Sequence, residues 1–131
     1  MVTVNFGGGG GGGDVDLTFL QDGSLSVNDA VYVSATSNTV LKASAASLAT
    51  TPAIGFVSQV VSPTQVKVRG EKILGGFLGL TPSIAMFLST TAGAITPTAP
   101  TAAGTVVQEL AIAVTATDIL IKVDTDATVN A

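Results

Sequence analysis

The sequence has no cysteine, no histidine and no tryptophan, and a single tyrosine. Without thiol or imidazole it cannot build a thiolate zinc site, a disulfide, or a nucleophile served by an imidazole base. Charge is scarce as well, at 11% of residues, where an ordinary soluble domain carries about 25%. Lys42, Lys67, Arg69, Lys72 and Lys122 form no dense basic run and the net charge is −4, so no nucleic acid is expected as a partner. The lack of thiols leaves the redox compartment open. Residues 1–6, MVTVNF, have neither the basic start nor the apolar block of a secretion signal, so export by that route is not expected. The longest strongly apolar stretch, Ile73 to Leu80, is eight residues with three glycines, far short of the roughly 20 residues a membrane helix needs. Aromatic girdles for a membrane barrel are missing too, and no membrane partner is expected.

What is present is small, apolar and hydroxylated. The 131 residues are 47% hydrophobic, enough for one compact domain. Seven consecutive glycines, Gly7 to Gly13, read as a flexible tether with a root-mean-square reach of about 15 Å and an extended limit of about 24 Å. They separate an N-terminal arm, whose Val2, Val4 and Phe6 share one face if the arm is extended, from a body over 14–124. Such an arm is a strand in search of a partner edge, and Val2, Val4 and Phe6 are the candidate partner-binding residues. Residues 125–131 lack a pattern and are expected to fray.

Within the body the hydrophobic period stays near two, which predicts an all-β fold, a small antiparallel barrel or sandwich. Val15, Leu17 and Phe19 alternate with polar residues up to a turn at Gln21 to Ser24. Short strands are expected at Leu25 to Val27, Ala30 to Ala35 and Thr39 to Lys42. Ala43 to Ala49 is expected to be a loop with one helical turn. Ile54 to Val61 reads as a strand covered on both faces, and Gln65 to Arg69 as one with a wet face. Strands at Ala85 to Ser89, Val106 to Val114 and Ile119 to Val123 follow, while Pro97 and Pro100 restrict Ile95 to Thr101 to an edge or an extended loop. A shift of 55 positions lays Ala30-Val31-Tyr32-Val33-Ser34 on Ala85-Met86-Phe87-Leu88-Ser89, and Val66-Lys67-Val68 on Ile121-Lys122-Val123. The body is therefore expected to contain an internal repeat of two.

Few residues offer chemistry. The glycine run matches a dinucleotide fingerprint only trivially, since neither a phosphate-binding Gly-Lys-Ser/Thr nor a helix follows it. Asp14-x-Asp16 and Asp124-x-Asp126 are acid pairs of the kind calcium accepts, but two ligands do not make a site. Glu109 and Asp118 are the acids nearest the C-terminal strands, and a carboxylate pair is the minimum for glycoside hydrolysis, though a sugar cleft wants aromatic platforms. No catalytic residue, metal or cofactor is expected. A domain so poor in charge exposes neutral patches, which favours burial between subunits.

Several phrases, in this order, carry a resemblance. They are Asp29-Ala30-Val31-Tyr32-Val33, Pro52-Ala53-Ile54-Gly55-Phe56-Val57, Leu78-Gly79-Leu80-Thr81-Pro82, Phe87 to Thr96, Val106-Val107-Gln108-Glu109 and Ala116 to Ile121. With them the stretch from Asp22 to Asp124 resembles the small β-modules of tailed-bacteriophage virions: capsid decoration (cement) proteins, head fibres and parts of tail fibres. Such modules often have glycine before the Asp29 equivalent, after the Thr81-Pro82 equivalent and at the Ala111 equivalent, where this sequence has Asn28, Ser83 and Ala111. The resemblance implies a structural virion protein without enzymatic activity, commonly a homotrimer. Its partner would be the major capsid protein, and its place the capsid surface after synthesis in the host cytoplasm. A fibre or adhesin module recognising a host surface is the alternative. The chain's own start Met favours a whole decoration protein over a piece of a long fibre.

Overall fold

A computed structural model describes residues 16–131. The fold is all-β. In the first half, β1 (Asp16–Leu20), β2 (Ala30–Val33), β3 (Val40–Lys42), β4 (Gly55–Ser62) and β5 (Gln65–Arg69) form an antiparallel sheet in the order β1-β5-β4-β2-β3. In the second, β6 (Glu71–Leu74), β7 (Ala85–Leu88), β8 (Ile95–Thr96), β10 (Glu109–Ala113) and β11 (Ile119–Lys122) form another in the order β6-β11-β10-β7-β8. A two-stranded sheet pairs β9 (Val106–Val107) with β12 (Thr128–Val129).

The two large sheets have one topology, so the internal repeat is real. It extends to backbone detail. The turn bond from Asp29 N–H to the Ser26 carbonyl recurs from Ile84 to Thr81, and that from Ser34 to Thr39 recurs from Ser89 to Ala94. The Ser34 hydroxyl accepts from the Thr36 amide as the Ser89 hydroxyl does from Thr91. Left-handed residues coincide as well: Asn28 (φ 76°) with Ser83 (φ 75°), and Asn38 (φ 56°) with Gly93 (φ 81°). The last strand matches two residues earlier than the sequence alignment suggests. Phe19 pairs with Val66 and Leu74 with Ile119, so Val66 and Val68 correspond to Ile119 and Ile121. A slip of two leaves every side chain on its original face, which is why the alternation could not reveal it.

Asn28 and Ser83 both sit at left-handed backbone, where a Cβ is costly. Asparagine tolerates this region better than serine does. Ser83→Gly is therefore expected to stabilise the protein by about 1 kcal/mol, read as a raised urea midpoint, because the Ser83 amide bond to Ala113 needs no side chain.

In the first sheet Leu20 and Thr39 form a parallel bridge, so the edge strands β1 and β3 meet and the sheet rolls into a barrel. Phe19, Leu25, Val31, Val40, Val57, Val66 and Val68 fill it. A second cluster fills the other sheet with Leu74, Met86, Leu88, Leu110, Ile119 and Ile121. It also takes in Ala30, Ala43, Ala45, Ala53 and Phe56 from the first half, so the two halves share a core.

Several expectations are corrected. Leu25 to Val27 is no strand: Leu25 is buried because it plugs the barrel end from a loop. The helical turn lies at Leu48–Thr50, at the end of the expected stretch. β4 is covered on both faces only over Gly55–Val57, and Gln59 to Val61 are exposed. The expected strand over Val106 to Val114 is broken at Gln108 into β9 and β10. The C-terminal residues expected to fray are instead tied down by β12. There the Asn130 amide donates to Thr105, and the Asn130 side chain to the Pro100 carbonyl and the Thr105 hydroxyl. β8 is an edge strand that ends before Pro97, as the prolines require.

Candidate functional site: an open seam in the second barrel

The bridge that closes the first barrel has no counterpart in the second. Gly75 and Ala94 occupy the equivalent positions and form no bridge, leaving β6 and β8 as separate edges. A cleft of about 550 Å³ opens beside this gap. Its wall is made by Phe77, Leu80, Ile84, Met86, Ile95 and Pro97. After Leu74 the chain leaves the ladder through Gly76 (φ 96°) and Gly79 (φ 70°), and this loop forms one lip. The other lip holds Gly93, whose left-handed backbone favours glycine. A Cβ there would also sit 2.9 Å from Asp29 Oδ1.

The cleft is apolar and electrically quiet. Its one acid, Asp29, accepts the Ser26 amide at 2.8 Å and lies 4.0 Å from Lys42 Nζ. Asn28 Oδ1 at its border is buried without a hydrogen-bond partner. Leu78 is 87% exposed, the most exposed large hydrophobic side chain among the described residues, and Val27 and Ile84 beside it are also exposed. Such a surface suits the burial of an apolar segment.

Of the acids singled out from sequence, Glu109 and Asp124 are backbone neighbours, the Asp124 amide donating to the Glu109 carbonyl at 3.0 Å, but Asp118 does not join them. Asp118 lies beside Val114, since the Val114 amide donates to its carbonyl, whereas Glu109 begins β10 five residues away. That is about 16 Å of strand, beyond the roughly 5–9.5 Å of a glycosidase pair. Asp124 turns back to accept the amide of Asp126. Among the described residues no three His, Cys, Asp or Glu side chains gather to hold a metal. Asp14, Val2, Val4, Phe6 and the glycine run lie outside the described residues.

Asp16 is held by Arg69, whose Nε and Nη2 donate to the two carboxylate oxygens at 2.7 and 3.1 Å. The third guanidinium nitrogen donates to the Ile73 carbonyl at 2.7 Å, tying the start of β1 to β6 across the two barrels. Hydrogen bonding to Arg69, helped by Ser58 and opposed by burial, holds the Asp16 carboxyl below its ordinary range. The contribution is present above the ordinary carboxylate pKa and is lost as pH falls through the depressed one. Asp16→Asn is expected to destabilise by about 1–3 kcal/mol near neutral pH. The difference from the parent should shrink in acid, as urea unfolding at the two pH values would show.

The cleft was not foreseen from the sequence. Its signal was the run Ile73 to Leu80, too apolar for a loop and too rich in glycine for a strand. Comparisons with protein families, curated proteins and solved structures find no match for this chain.

Proposed function

We propose that the protein is a structural component of a tailed-phage virion that binds the outside of the capsid and stabilises it by bridging neighbouring copies of the major capsid protein. The observation that carries this reading is the exposure, among the described residues, of ten large hydrophobic side chains on a chain with little charge, the composition of a body made to be covered. The order of the sequence phrases supports it, and so do turns that place the departures Asn28 and Ser83 at left-handed backbone. The assembly is a homotrimer without enzymatic activity, made in the host cytoplasm and resident on the capsid surface. Many weak neutral contacts then add through avidity. Val2, Val4 and Phe6 join an edge strand of an adjacent subunit once the particle is bound.

The test mixes purified protein with undecorated capsids and measures stoichiometry and heat resistance. Saturable binding with a raised disruption temperature is expected, and deletion of residues 1–13 should lower occupancy while the body stays folded. Saturable binding with no gain in durability would favour the fibre module, and no binding would end the capsid reading.

A further inference from the structure

We infer that the open seam between β6 and β8 is a receptor for the chain's own N-terminal segment, and that residues 2–6 lie in it, within the same chain, in the free protein. This stands apart from the capsid reading, because it concerns the molecule before any partner is met.

Three observations lead there. First, the seam is incomplete by the protein's own standard: the first barrel closes at Leu20 and Thr39, and the second stays open at the equivalent positions. The edge strand β8 and the loop that follows β6 flank a mainly apolar cleft of about 550 Å³, a geometry that accepts one extended segment with alternate side chains inward. Second, the described chain begins close to that place: Asp16 is held by Arg69, and Arg69 holds Ile73 of β6, one of the free edges. Ile73 lies two residues, about 7 Å of strand, from Gly75, whereas the nine residues 7–15 could span up to about 30 Å, enough for residues 2–6 to reach the cleft with slack. Third, the chemistry matches. Val2, Val4 and Phe6 alternate with Thr3 and Asn5, the segment carries no charged side chain, and exposed Ile73, Leu78, Ile84 and Val27 mark the rim it would cover. A tether this short gives an effective concentration of about millimolar, which favours the chain's own arm over that of another copy.

The absence of cysteine allows a clean test on the full chain. A nitroxide attached at Thr3→Cys, on the polar face of the arm, is expected to remove most of the amide signal intensity of Leu78, Ala94 and Ile95. The further substitution Phe6→Asp, outside the barrels, should restore those signals. Mixing isotope-labelled protein without nitroxide and unlabelled protein carrying it should leave them unattenuated. Attenuation spread evenly over the body, its persistence in Phe6→Asp, or its appearance in the mixed sample, which would place a second copy's arm in the seam, each overturns the inference. Loss of capsid binding would leave it untouched.

Discussion

Gln108→Leu is expected to lower the unfolding free energy by about 2–5 kcal/mol, one of the two largest losses available to a single side chain here. Gln108 is 1% exposed and spends both ends of its amide on one residue. Its Oε1 accepts the Ala53 N–H at 2.8 Å, and its Nε2 donates to the Ala53 carbonyl at 2.9 Å. Ala53 is fully buried, so leucine would strand a backbone donor and an acceptor together, each costing about 1–3 kcal/mol. Ala53 and Gln108 are also 55 positions apart, so the same site in the two repeats is joined to itself. Urea unfolding reads the loss, and amide exchange at Ala53 should quicken. Gln108→Glu adds a sign test. Burial raises the carboxyl pKa, so the variant should be closest to the parent in acid and lose stability as pH rises through that pKa. A Gln108→Leu variant within about 0.5 kcal/mol of the parent would show that the pair adds nothing.

Phe56→Ala is the second, with an expected cost of about 3–5 kcal/mol. The ring is fully buried and belongs to the shared core although its strand belongs to the first barrel. Its neighbour Val57 points into the first barrel, so β4 feeds two cores through consecutive residues. Phe77 meets Phe56 edge-on with ring centroids 5.9 Å apart and an interplanar angle of 89°. Alanine would leave a cavity between the halves and take away the partner of a cleft-lining ring. Calorimetry should show a lower unfolding temperature with the single transition retained, since the missing volume belongs to both halves. Separation into two transitions would mean that the shared core couples them less than the packing implies.

Much of this architecture was legible in the sequence for a local reason. Alternation reports which residues face inward, and Val66, Val68, Met86, Leu88, Ile119 and Ile121 are all buried as their period demands. The repeat was legible because Ala30 to Ser34 and Ala85 to Ser89 keep the same pattern where both strands line cores. Barrel closure was not, because it rests on one bridge between Leu20 and Thr39, residues with no distinguishing chemistry. Leu25 misled because a plug at a barrel end and a strand residue look alike when only burial is encoded. The burial of Gln108 was not legible either, because only its distant partner Ala53 explains it. The seam was hidden for the same reason, since it is defined by a contact that one repeat makes and the other does not.

The topology also sets a timetable for synthesis. β1 cannot be paired until β5 has left the ribosome, and the second barrel waits about 50 residues more for β11, roughly 3–10 s at ordinary translation rates. At the start of that interval the flank bearing Ala30, Ala53 and Phe56 has no cover, and the side chains that will bury it, from Leu74 to Ile121, are added only as it passes. A nascent chain is at its stickiest midway, and premature termination after the first repeat leaves a product with a greasy face in place of a smaller soluble protein.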